Sequence, residues 1–122
     1  MDVESITDFI LLYSPYKDRE VIKDIIQKHL EYKTAIVVYD DNEIIAVCRW
    51  NISPSGRNAN ILDLIIRPDW RKKNLIKRIL LKGLRMYPNV KWLVYEKGYD
   101  TNKPMKKISV EKLLKYRRMN EV

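Results

Sequence analysis

Apolar residues recur along this chain with two spacings, and the switches between them divide it into elements. Ile6, Phe9, Ile10 and Tyr13 return every three or four positions, which predicts a helix over residues 3–13 with Asp2 as its cap. Ser14-Pro15 breaks that pattern. A second helix is expected near 18–31, with Val21, Ile22, Ile25, Ile26 and Leu30 on one stripe and Asp18 or Ser14 as cap. The period then shortens to that of a strand. Residues 34–39 and 43–52 form a hairpin turned at Asp40-Asp41-Asn42, in which Ile44, Ala46, Cys48, Trp50 and Ile52 share one face and Ile45 and Val47 begin the other.

After a loop over 53–58, residues 60–67 are almost continuously apolar, as expected of a central strand covered on both faces. Pro68 ends it. From Asp69 or Trp70 to Tyr87 the helical period returns, with Leu75, Ile76, Ile79, Leu80, Gly83, Leu84 and Tyr87 on one side and Lys73, Lys77, Lys82 and Arg85 on the other. Gly83 lies inside the apolar stripe, where a missing side chain lets helix and sheet approach closely. Residues 91–96 form a further strand. Strand, helix and strand in this order make a crossover, so 60–67 and 91–96 run parallel in one mixed sheet flanked by helices. Beyond Lys97 the chain is basic, with a short helix expected over 110–118 and Ser109 as its cap.

Composition narrows this α/β reading. A chain of 122 residues, 46% hydrophobic and with three Gly, suits one domain over 1–122 with a buried core. No apolar run approaches the ~20 residues that span a bilayer, and the opening MDVES lacks the basic start of a secretory signal. A cytoplasmic, reducing setting without membrane association is therefore expected. Cys48 is the single cysteine and His29 the single histidine, which excludes an internal disulfide and a cysteine-histidine metal site, so no metal is expected. Both are expected as packed side chains, as are Trp50, Trp70 and Trp92.

The net charge of +8 conceals an asymmetry. Residues 1–60 hold seven Lys/Arg against ten Asp/Glu, whereas 61–122 hold 17 against six. The second half should attract anions. Its densest point is the turn from strand 60–67 into the following helix, where Arg71, Lys72 and Lys73 sit beside helix amides that have no intrahelical acceptor. The alternative is an ordinary solvated basic face.

The stretch NILDLIIRPDWRKKNLIKRIL resembles the central motif of the GCN5-related N-acetyltransferase superfamily, the GNAT acyl-CoA N-acyltransferases: an apolar strand, a Pro-acidic-aromatic step, then Arg or Gln before a glycine-rich turn. Arg71 stands at the Arg/Gln position. The two opening helices, the hairpin and the KWLVYE strand follow the family order, so the resemblance covers roughly residues 3–97 and implies an acyl-CoA N-acyltransferase-like fold with a truncated C-terminal part. It implies acetyl-CoA or coenzyme A as cofactor, with strand contacts from Ile65, Ile66 and Arg67 and phosphate contacts from Arg71, Lys72, Lys73, Asn74, Leu75 and Ile76. The turn departs from the family pattern at Lys72, Asn74 and Ile76, which replace glycine or small residues. Asn tolerates unusual backbone angles, whereas the β-branched Ile76 intrudes where a phosphate approaches.

Acyl transfer to an amine needs a proton acceptor and a donor for the leaving thiolate. The family commonly places a carboxylate where this chain has Asn60. The candidate bases are Asp63, sharing a face with Ile61 and Ile65, and Glu96 at the end of the last clear strand; Tyr99 is the candidate acid. The implied activity is acetyl transfer from acetyl-CoA to an amine on a protein or small molecule. The alternative is a catalytically inactive GNAT-like accessory or adaptor protein that binds an acidic protein or nucleic acid through its basic half, for example through Lys73, Lys77, Arg78 and Arg85. No zinc-finger spacing or arginine-glycine repeat marks a nucleic-acid binder. A homodimer is a further expectation, since sheet edges in so short a domain need cover.

Overall fold

The computed structural model describes residues 2–71, 75–96 and 105–115. Helices α1 (Val3–Tyr13) and α2 (Arg19–Glu31) lead into strands β1 (Ala35–Asp40), β2 (Glu43–Ile52) and β3 (Asn58–Ile66), and a 3-10 turn over Pro68–Trp70 precedes helix α3 (Ile76–Met86). Strands β4 (Trp92–Tyr95) and β5 (Lys106–Ser109) and helix α4 (Val110–Lys115) complete the described order. The five strands lie in sequence order; β3 and β4 are parallel and the other neighbours antiparallel.

The caps act as their sequence suggests. Glu4 N–H donates to Asp2 Oδ1 at 2.9 Å, and Val21 N–H to Asp18 Oδ1 at 3.2 Å, satisfying orphan donors of both helices. Asp41 and Asn42 take φ of 50° and 66°, the pair of left-handed residues that a two-residue hairpin turn with right-handed twist requires.

Two irregularities reassign faces that strict alternation predicts. The β1–β2 register shifts so that Val38 pairs with Ala46 but Tyr39 with Ile44, leaving Ile45 as an extra residue. Ile45 therefore joins Ala46, Cys48 and Trp50 in the core beneath α3, while Ile44 packs toward α1 and α2 with Val47. In β3, Asp63 opposes Arg49 but Ile61 opposes Trp50, so Leu62 is extra. Asp63 thus faces the α1/α2 side with Ile65, while Ile61 packs on the α3 side, contrary to the single face expected for all three.

The sheet is consequently a middle layer between two cores. On one side Ile6, Phe9, Ile10, Ile22 and Ile26 cover Val37, Val47 and Ile65. On the other, Leu75, Ile79 and Leu80 cover Ile36, Cys48, Trp50 and Ala59. Val21 is exposed, off the α2 stripe predicted for it. The central strand is not covered throughout: Leu62 and Leu64 are 42% and 40% exposed. Nor does the helix begin at Asp69 or Trp70, because Pro68 opens a 3-10 turn and the α-helix starts only at Ile76. The chain after β4, expected as a basic tail with one helix, also supplies β5.

Gly83 sets the helix-to-sheet distance. A Cβ there would meet the Trp50 indole, Cζ2 at 2.6 Å, and Ile36 Cδ1 at 2.8 Å. Trp50 is fully buried and meets Tyr87 edge-on at 6.2 Å between centroids, so it has nowhere to retreat. Gly83→Ala should therefore lower stability by about 2 kcal/mol despite alanine's better helix propensity, as read from denaturant unfolding. An unchanged or raised midpoint would show that the indole yields.

Candidate active site

The β3–β4 ladder is short. It joins Asn58, Ala59 and Asn60 to Trp92, Leu93 and Val94 and then stops, although β4 stays paired with β5 to Tyr95 and β3 with β2 to Ile66. Beyond Asn60 the two parallel strands are not paired among the described residues. Arg67 N–H bonds to Ile45 O of β2 at 2.9 Å, and alternation along the strand then turns the N–H and C=O of Leu64 and Ile66 the other way, toward the gap. Among the described residues no strand pairs with this edge, which lies beside the exposed side chains of Leu62 and Leu64.

The far end of this edge is the basic turn. Arg71 is exposed, and its Nε donates to Ile66 O at 3.3 Å, placing the guanidinium at the mouth of the gap. Leu75, the N-cap of α3, gives the first turn no side-chain acceptor, and no carboxylate lies in that turn. This is the electrostatic setting of an anion site. Leu75 buries its side chain in the core and Ile76 is half-buried at the helix start. Ile65 likewise points into the α1/α2 core and turns its backbone toward β2 with Arg67. The Arg67 guanidinium is engaged by Asp69, at 2.7 and 2.9 Å, and by Glu43 at 2.9 Å, which raises its already high pKa. Lys72, Lys73, Asn74 and Tyr99 lie outside the described residues.

On the α1/α2 face at the same level runs a chain of polar groups. Arg49 donates to Asp63 Oδ2 through Nε at 2.8 Å and again through Nη2, and the pair is largely buried, at 13% and 16% exposure. Tyr16, between α1 and α2, donates its hydroxyl to Asp63 Oδ1 at 2.8 Å. Burial, then the bond to Asp63, raises the phenol pKa, so Tyr16 remains a proton donor at neutral pH. Behind Arg49, Nη1 approaches His29 Nε2 at 3.5 Å, and His29 Nδ1 lies 2.7 Å from Thr34 Oγ1. Arginine has no lone pair to offer, so Nε2 accepts and the neutral imidazole carries its proton on Nδ1. Burial and then the Arg49 charge lower the His29 pKa.

The expected site residues are thus divided. Asp63 lies on the α1/α2 face of β3, joined by Tyr16 and Arg49, which sequence reasoning missed. Glu96 stands exposed just past β4, on the other side of the gap. A signal for Arg49 was available: a lone cation inside an apolar strand pairs with the acid that the neighbouring strand places opposite. Tyr16, in a linker, offered none. Cys48 is buried with its thiol pushed up to about 12, chiefly by desolvation, and is an inert core residue. Among the described residues no three His, Cys, Asp or Glu side chains gather as metal ligands would, and no helix is long and apolar enough to cross a membrane.

A mixed sheet whose central parallel strands part beside a basic strand-to-helix turn defines the fold class of acyl-CoA-dependent enzymes. The model of the Acetyltransferase (GNAT) family matches residues 4–102, and the chain belongs to that family. Solved structures share the fold. They include a GNAT-like decarboxylase, GphF, in complex with isobutyryl-CoA, 14% identical over 77% of this chain and 60% of that one, with a TM-score of 0.57. A GNAT family acetyltransferase from Brucella melitensis in complex with acetyl-CoA is 12% identical over 89% and 82% of the two chains, at 0.57. The spermidine N-acetyltransferase SpeG from Vibrio cholerae, as an N152L mutant, is 19% identical over 77% and 63%, at 0.53. The chain therefore spans less than two thirds of the decarboxylase and of the spermidine enzyme. A comparison with curated protein sequences returned no match.

The polar chain has a pH signature. Because the folded state depresses the His29 pKa below the unfolded value near 6.5, the unfolded chain binds more protons in that interval. The stability this group confers is full above pH ~6.5 and is lost as pH falls toward the folded value. Chemical unfolding at pH 7.5 and 5.5 should show a loss on acidification that His29→Gln reduces; an identical loss in the variant would remove His29 from the account. Arg49→Met, which strands Asp63, should lower stability by about 3 kcal/mol in the same assay.

Proposed function

We propose that this chain binds an acyl-CoA thioester along the free edge of β3 and transfers the acyl group to an amine. The observation that carries this reading is the early end of the β3–β4 ladder, which turns the backbone groups of Leu64 and Ile66 into a gap leading to the basic turn. An amide-rich pantetheine arm is a natural partner for such an edge, and Arg71 with the first amides of α3 supplies attraction for the phosphates. The complexes of the decarboxylase with isobutyryl-CoA and of the Brucella enzyme with acetyl-CoA support the ligand class, and the spermidine enzyme supports an amine acceptor.

In the transfer, the amine nitrogen attacks the thioester carbonyl, a C–N bond forms, the C–S bond breaks with coenzyme A leaving as its thiolate, the amine sheds a proton and the thiolate takes one up. In this reading Tyr16 relays the amine proton: its oxygen takes that proton up while its own passes to Asp63, a step supported by the Tyr16–Asp63 hydrogen bond, and Arg49 holds that carboxylate in position. Glu96 is the second proton acceptor within this reading. The accessory-protein reading loses part of its basic face, because Arg78 donates to Tyr39 O at 3.2 Å and Lys82 to Val37 O, so both are engaged with β1.

Calorimetry with acetyl-CoA should show binding, with thermal stabilisation that grows with ligand concentration. Ile76→Gly should tighten it by removing a branched side chain from the phosphate approach. With spermidine as acceptor, Tyr16→Phe should lower kcat about 100-fold while leaving acetyl-CoA affinity unchanged. Absence of any binding heat together with an unmoved melting temperature would sink the proposal. Binding with full activity in the Tyr16 variant would retain the ligand and discard the relay.

A further inference from the structure

Strand β1 begins at Ala35 opposite Arg49, whereas β2 runs on to Ile52. The last bond joining them runs from Trp50 N–H to Thr34 O at 3.0 Å, and β2 continues to Ile52 with no strand beside it on that edge. Ser53 N–H points the other way, to Asn58 O at 2.9 Å, so alternation turns the N–H and C=O of Ile52 outward, like those of Trp50. A cleft of about 870 Å³ opens there, lined by Lys28, His29, Tyr32, Thr34, Ile52 and Tyr87 among others.

Elsewhere on this side of the sheet the edge is sealed. Lys82 and Arg78 of α3 donate to Val37 O and Tyr39 O, occupying outward carbonyls of β1. Tyr87, at the end of α3, donates to Tyr32 O at 2.7 Å and lines the cleft. What remains is an open notch beside Ile52, flanked by an exposed aromatic ring at Tyr32. Among the described residues lining the cleft the one charged side chain is Lys28; no carboxylate stands with it and it forms no ion pair.

We propose that this notch is a docking site for an extended acidic peptide segment, which continues the line of β1 by pairing with Ile52 and sets a carboxylate against Lys28. Backbone pairing supplies register, and Tyr32 and Tyr87 supply flanking contact surface. The notch lies at the opposite end of β3 from the basic turn, and its occupation is measured without acyl-CoA.

The test is an amide-resonance titration of the whole chain with a capped hexapeptide of alternating glutamate and valine. The expected result is saturable shifts confined to residues 51–56 and the end of α2. Lys28→Glu, an exposed substitution whose folding is verified from the unperturbed remainder of the spectrum, should weaken binding at least tenfold. N-methylation of the peptide's central amides, which removes strand donors and leaves its charge, should do the same. Absence of shifts in that region overturns the proposal, as does equal binding of the lysine-valine counterpart or indifference to N-methylation. Tighter binding of a single-stranded oligonucleotide at the same residues would also overturn it and assign the cleft to nucleic acid.

Discussion

Strand β3 must satisfy two edges, and the structure treats them differently. Toward β2 it is paired along its length, with one bulge at Leu62; toward β4 it is paired at three positions and then released. Backbone donors and acceptors inside a fold demand partners, so an interior edge of this kind is stable only if solvent or a ligand reaches it. The rest of the molecule is arranged to hold that edge open. Helix α3 packs so close over Trp50 that only glycine fits at position 83, and the basic turn stands at the mouth of the gap. On the other face the Arg49–Asp63 pair spans β2 and β3 at the bulge, so the β2–β3 register positions the carboxylate.

The same helix explains the charge pattern. A row of lysines and arginines on α3 has the appearance of an anion-binding face, yet Arg78 and Lys82 reach over the sheet and close the outer edge of β1. Their long stems cover apolar surface while their heads meet main-chain carbonyls. Desolvation, together with the neighbouring Arg78 and Arg85, lowers the Lys82 pKa, which marks how closely it is held. Edge protection and charge are here one feature, and the protection ends where α3 ends.

Much of the fold was legible from periodicity. Helices α1 and α2, the hairpin with its Asp41-Asn42 turn, the parallel β3–β4 relation and the close approach at Gly83 all follow from spacing and local chemistry. Bulges were not legible, because one extra residue at Ile45 or Leu62 leaves no mark on composition but exchanges faces for everything beyond it. Strand β5 was hidden by its lysines, since a short edge strand exposes most of its side chains. Of the candidate site, Asp63 was found by residue type and place. Its partners were not: Tyr16 is brought 47 positions along the chain by helix packing, and the Arg49 contact exists only once β2 and β3 are in register.

Amide hydrogen exchange at Leu64 and Ile66 reports directly on the open edge of β3. Both amides should exchange quickly in the free protein, in contrast to Ile65, and become protected when acetyl-CoA is added. Protection already present without ligand, or exchange unchanged at saturating acetyl-CoA, would mean that the edge of β3 is not the ligand's seat.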